Sequence, residues 1–114
     1  MSEKIFFEKA TQGHAQGIAD LYKLVYNNKY SLLEFTNPET VRYIVNDPKY
    51  IWYVAISNGE IVGSAAAEID FWNNSAEPGR GVVNELYSGK GVATTLLFHI
   101  KTETLKRGVD IICT

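Results

Sequence analysis

The stretch from Tyr87 to Thr95, Tyr-Ser-Gly-Lys-Gly-Val-Ala-Thr-Thr, constrains this chain more than any other. The apolar, strand-like pair Val82 and Val83 leads into it, and helix-forming residues continue from Ala93 to Arg107. A strand that turns this tightly into a helix leaves several backbone N–H groups at the helix start without partners. With the positive end of the helix dipole, those groups make a site for a phosphate or pyrophosphate.

The rest of the chain supplies a frame for that turn. Lys4 to Lys9 reads as a first strand. Thr11 is a helix cap, and Ala15, Ile18, Leu21, Tyr22 and Val25 recur at helical spacing, with an end expected near Tyr26-Asn27-Asn28. A second helix starts at Asn37 as cap with Pro38 at its first position and Glu39 in its first turn. Val41, Ile44 and Val45 form its apolar stripe, and Asp47-Pro48 stops it.

Ile51 to Ile56 is dense in β-formers, Asn58-Gly59 is a two-residue turn, and Glu60 to Phe71 is the return strand. Gly63 within that strand predicts a bulge or a close backbone approach. Trp72 to Gly79 reads as a loop and Arg80 to Glu85 as a short strand. In the third helix, Ala93, Leu96, Leu97, Ile100 and Leu105 are expected on the inner side, with Gly108 as C-terminal cap and Val109 to Cys113 as a final strand. The order β-α-α-β-β-β-α-β over residues 1–114 predicts a single α/β (α+β) domain: a mixed sheet with helices on both faces.

Composition narrows the function classes. A net charge of −2 argues against a general nucleic-acid binder. One cysteine, Cys113, allows neither an intramolecular disulfide nor a cysteine zinc site, and no metal is expected. Met-Ser-Glu-Lys is not followed by the apolar run of a signal peptide, and no apolar stretch approaches the roughly 20 residues that span a bilayer. The expectation is a cytoplasmic protein without membrane or nucleic-acid partners.

Two phosphate-loop signatures fail. The triphosphatase loop G-x-x-x-x-G-K-[ST] has Asn84 and Gly91 at decisive positions, and the dinucleotide fingerprint G-x-G-x-x-G meets Thr94 where its third glycine belongs. Ser88-Gly89-Lys90-Gly91-Val92-Ala93 instead resembles the pattern [QR]-x-x-G-x-[GA] of the GNAT N-acetyltransferase superfamily, with Ser88 in place of the usual Gln or Arg. The likeness extends to Lys4–Thr11, to Val54–Ser64 with its tight turn, and to Gly108–Ile112.

The resemblance implies acetyl-CoA or another acyl-CoA as cosubstrate. Its pyrophosphate would lie on Ser88, Gly89, Lys90, Gly91, Val92, Ala93 and Thr94, with Thr94 or Thr95 adding a hydroxyl. Its pantetheine arm would lie along Val82 and Val83, one of whose N–H groups polarises the thioester carbonyl. Small residues at 89, 91 and 93 suit this by sparing Cβ clashes. Ser88 offers less reach than Gln or Arg, which implies weaker cofactor binding.

Direct transfer to an amine needs a group to take its proton. Among Glu68, Asp70, Glu77 and Glu85, the candidates are Glu77 and Glu85, nearest the cofactor segment. His14 and His99 have no metal-spaced partner. Tyr22, Tyr26 and Tyr30 step by four; Tyr22 suits packing, and Tyr26 and Tyr30 are candidates for an acceptor pocket that takes a small-molecule or peptide amine. Family domains continue past the last strand with another helix and two strands, so against that pattern the sequence reads as shortened at its C-terminal end. An exposed final strand could then pair two copies into a homodimer. A CoA-binding module without catalysis and an edge-strand interaction domain stand beside the enzyme as alternatives.

Overall fold

The computed structural model describes residues 4–26 and 36–111. Along the chain run β1 (Phe6–Lys9), a one-turn 3₁₀ segment (Gln12–His14), α1 (Ala15–Tyr26), α2 (Pro38–Val45), β2 (Tyr50–Ser57), β3 (Glu60–Asp70), β4 (Ser75–Val83), a second 3₁₀ turn (Glu85–Tyr87), α3 (Val92–Lys106) and β5 (Asp110–Ile111). The strands form one five-stranded sheet in the order β1-β2-β3-β4-β5. The first four pair antiparallel, and β5 joins β4 in parallel after the α3 crossover.

Side chains alternating along β2 and β3 build two cores. Trp52, Val54 and Ala66 meet Ile18, Leu21 and Tyr22 of α1 and Val41 of α2, whereas Ile51, Ala55, Ala65, Ala67 and Ile69 meet Val92, Leu96 and Ile100 of α3. The Trp52 indole N–H donates to Ser64 Oγ at 2.6 Å, which satisfies both groups inside the first core. The second helix starts as the sequence predicts: Asn37 Oδ1 accepts the Glu39 N–H at 3.0 Å, with Pro38 at the first position. Asn58 (φ 52°) and Gly59 (φ 78°) form the left-handed pair of the β2–β3 turn. Thr11 caps the 3₁₀ segment ahead of α1, and its backbone N–H donates to His14 Nδ1 at 3.0 Å.

Three expectations change. Residues 75–79, read as loop, are strand: β4 starts at Ser75. The turn is shorter because Asp70 accepts the Trp72 and Asn73 N–H groups at 3.1 and 3.3 Å, and Asn74 takes a left-handed φ of 52°. Pairing with β3 then overrides the poor strand propensity of Glu77-Pro78-Gly79, and Pro78 stands on an outer edge beside a bulge, where proline is tolerated. The inner face of α3 is Val92, Leu96, Ile100 and Thr104; Ala93, Leu97 and Leu105 are exposed. Val25 leaves the buried stripe of α1 and is 38% exposed.

Gly63 is both beside a register shift and closely approached: a Cβ there would lie 2.7 Å from Val92 Cγ1. Residues 112–114, part of the expected last strand, lie outside the described residues.

Candidate functional site

A bulge in β4 shapes the site. Ser64 pairs with Val82 but Ala66 pairs with Gly79, so β4 carries one extra residue between them. On its other side β4 meets β5 only at Ser75 and Ala76. The outer edge from Glu77 to Val83 therefore has no strand partner among the described residues. Between that edge and α3 lies an apolar groove of about 250 Å³, lined by Pro78, Gly81, Val82 and Val83 on β4 and by Ala93, Leu96 and Leu97 on α3. The Asn84 N–H donates to the Val62 carbonyl at 2.8 Å, toward β3. Strand alternation consequently turns the Val83 N–H to the outer edge.

At the end of β4 the chain makes the 3₁₀ turn Glu85–Tyr87. Asn84 holds it twice: its Oδ1 accepts the Leu86 N–H at 3.0 Å and its carbonyl accepts the Tyr87 N–H at 2.8 Å. The Ser88 N–H is used internally as well, donating to Glu85 O at 3.1 Å. Gly89 (φ 79°) and Gly91 (φ 76°) then take left-handed conformations, and Gly91 is the N-cap of α3. A Cβ at either glycine would meet no other part of the protein within 4 Å, so within the chain itself the need for glycine is conformational.

The first helical backbone bond of α3 runs from the Thr95 N–H to the Gly91 carbonyl at 3.0 Å, so the Val92, Ala93 and Thr94 N–H groups precede the ladder. They face a second cleft of about 250 Å³ bordered by Tyr87, Ser88, Gly89, Gly91 and Thr94. Thr95 Oγ1 turns back to the Gly91 carbonyl at 2.8 Å, which leaves Thr94 as the threonine lining the cradle. Lys90 lies with its Nζ 5.5 Å from the centre of the Tyr87 ring.

A third cleft, of about 580 Å³, opens beside Ser88 and carries Leu24 and Val25 of α1, Val83, Asn84, Glu85 and Leu86. Val83 lines all three clefts, Ala93 joins the groove to the cradle, and Ser88 joins the cradle to the large cleft. Of the two acidic candidates, Glu85 lies on the large cleft next to this junction. Glu77 is exposed near the opposite end of β4, paired across the sheet with Glu68, and lines none of the three.

Tyr22 is a core residue, 1% exposed. Tyr26 closes α1 in the backbone, its side chain not being among the described features, and Tyr30 lies outside the described residues. The histidines have structural neighbours: His14 Nε2 is 3.1 Å from Glu8 Oε1, and His99 stacks against both Phe7 and Tyr53, with ring centroids 5.7 and 5.3 Å away. Burial and the Glu103 carboxylate push the Tyr53 hydroxyl up, partly countered by Arg107.

Sequence reasoning missed the apolar wall of the large cleft. The Asn84-Glu85-Leu86 triplet, an Asx cap followed by an acid, was the available signal for the turn that carries Leu86. Among the described residues there is no group of three His, Cys, Asp or Glu side chains able to hold a metal. No described helix is long and apolar enough to cross a membrane.

Comparison with curated proteins returned no match. Solved structures share the fold. A GNAT-family acetyltransferase from Staphylococcus aureus Mu50 superposes with a TM-score of 0.79 at 16% identity, over 95% of this chain and 72% of that one. PaiA N-acetyltransferase of Thermoplasma acidophilum, in complex with coenzyme A, gives 0.74 at 17% identity, over 93% and 75%. An aminoglycoside acetyltransferase from an uncultured soil metagenomic sample, in complex with sisomicin, gives 0.76 at 14%, over 96% and 75%. The model of the acetyltransferase (GNAT) family matches residues 16–114, which takes in nearly all of α1 and every element after it, and the chain belongs to that family.

Proposed function

We propose that this chain is an acyl-CoA-dependent N-acyltransferase that moves an acetyl group from acetyl-CoA to an amine by direct attack. The observation that carries this reading is the position of Val83, where an anion cradle, an apolar groove along a strand edge with no partner among the described residues and a large open cleft meet. The donor set suits coenzyme A. The Val92, Ala93 and Thr94 N–H groups, the Thr94 hydroxyl and the helix dipole would hold the pyrophosphate, with Ser88, Gly89, Lys90 and Gly91 shaping the loop. The apolar groove and the β4 edge at Val82 and Val83 would take the pantetheine arm.

Acetyl-CoA supplies the acyl group as a thioester, so that C–N bond formation to the acceptor and C–S cleavage release the CoA thiolate, which takes up the proton that the amine gives up. The Val83 N–H, directed to the outer edge, is the donor that would stabilise negative charge developing on the carbonyl oxygen. Glu85, on the acceptor side of the junction, is the group that would take the amine proton, directly or through one water. Glu77 stands too far along β4 to share that role without a relay. Tyr26 and Tyr30 belong to the acceptor side of this proposal, at and beyond the end of α1.

Calorimetric titration with acetyl-CoA, followed by a thiol-release assay over a panel of amines, tests the reading. Saturable binding and amine-dependent thiol release are expected. Absence of heat at millimolar ligand would refute the CoA site, and binding without turnover on any amine would reduce the chain to a CoA-binding module.

A further inference from the structure

The acceptor cleft carries a chemical preference. Leu86 is 82% exposed although its turn is fixed by the Asn84 side chain and by the Tyr87 and Ser88 N–H bonds. Leu24, 63% exposed, and Val25, 38% exposed, face the same cleft from the last turn of α1, off the buried stripe of that helix. Three large aliphatic side chains are thus held toward solvent beside the junction at Val83. Among the described residues, this wall brings a single carboxylate, Glu85, to the cleft.

We infer that the acceptor is a primary amine with an apolar body, such as an aralkylamine or the amino group of a leucine-like residue. Its ammonium or amine end would meet Glu85 and Ser88, and its apolar part would cover Leu24, Val25 and Leu86. The inference rests on the acyltransferase reading and adds the acceptor class to it. Removing apolar ligand and aliphatic wall from water together supplies the selectivity. A polycation placed on this wall would leave further charges against leucine without partners. Asp20 and Glu60 line an adjoining groove that shares Leu24 and Asn84 with this cleft but touches neither Val83 nor Ser88. They make a polyamine the competing occupant.

The test compares 2-phenylethylamine and leucine amide with spermidine and kanamycin, in wild type and in Leu86→Ser and Leu24→Ser. Both substituted positions are exposed, so the fold is retained. The apolar amines should have kcat/KM at least about tenfold above the polycations, and each substitution should raise their KM by roughly tenfold, the effect of one aliphatic side chain of buried contact. The KM for acetyl-CoA should stay within about twofold. Higher kcat/KM for spermidine or kanamycin, or no change on either substitution, overturns the inference while leaving the acyltransferase reading intact. Calorimetry with 2-phenylethylamine on the CoA-loaded protein separates the two claims. Leu86-dependent binding without turnover refutes the transfer reaction and supports the apolar acceptor cleft, whereas no binding overturns the inference.

Discussion

Replacing Gly63 with alanine tests how the sheet seats α3. A methyl group at that position would stand 2.7 Å from Val92 Cγ1, 3.2 Å from Leu96 Cδ1 and 3.4 Å from Ala55 Cβ. Carbon contacts settle at about 3.5–4.0 Å, so the first of these must open by roughly 1 Å. Val92 and Leu96 are buried, 2% and 1% exposed, and a β-branched residue in a helix has one strongly preferred rotamer. The strain is therefore relieved by moving the first turn of α3 off the sheet. Overpacking of this kind costs about 1–3 kcal/mol, offset by up to ~1 kcal/mol from the backbone entropy that glycine loses in a strand.

A net loss of about 1–2 kcal/mol lowers Tm by roughly 5–15 °C in a domain of this size. The same displacement moves the Val92, Ala93 and Thr94 N–H groups, and a hydrogen bond lengthened by ~1 Å is no longer one. Losing a bond to a charged group is worth about 1.5–3 kcal/mol, so CoA affinity should fall by at least tenfold. Thermal unfolding by circular dichroism and calorimetric titration with CoA read the two effects. In the double variant Gly63→Ala/Val92→Ala the clashing methyl is gone, and its Tm should be closer to that of Val92→Ala alone than additivity allows. A Tm within about 2 °C of wild type, or strictly additive variants, would refute the contact as the cause.

Three further outcomes are expected. Gly91→Val should abolish measurable CoA binding while Gly91→Asn retains part of it, because asparagine tolerates the left-handed φ of 76° and valine does not; equal loss by titration would point to side-chain size instead. Glu85→Gln should lower kcat by about 100-fold in the thiol-release assay, the usual contribution of one general base; a comparable loss on Glu77→Gln with Glu85→Gln active would reverse the assignment. The Asn73 side chain and backbone N–H, with the Trp72 N–H, hold the Asp70 carboxyl below the ordinary aspartate value against a smaller opposing desolvation. A carboxyl lowered on folding stabilises above its unfolded pKa and stops doing so as pH falls through the folded one. The protection factors of the Trp72 and Asn73 amides, intrinsic over observed exchange rate, should accordingly fall as the pH drops through the folded pKa of Asp70, and in Asp70→Ala they should be low at every pH; protection unaltered in the variant would contradict the role of Asp70.

The elements most legible in the sequence are those whose signals are local. Asn37-Pro38 starts α2, Asn58-Gly59 turns β2 into β3, and Gly89 and Gly91 mark the turn into α3, because caps and left-handed turns depend on a few adjacent residues. The β4 boundary was not legible: Glu77-Pro78-Gly79 has no strand character of its own and becomes strand by pairing with Ala66–Glu68. The inner face of α3 was misread for a related reason. Leu97 and Leu105 are as apolar as Leu96, and only the position of the sheet decides which of them is covered.

By itself, then, the sequence determined the element types, the left-handed turn and the helix start with its unpaired N–H groups, all properties of short segments. Tertiary structure decided what those segments meet. It placed the bulge in β4, brought Glu85 rather than Glu77 to the clefts, and gathered Leu24, Val25 and Leu86 from helix and turn into one wall. Such contacts join residues far apart in the chain, and their geometry follows from register, bulge and packing, which no local pattern encodes.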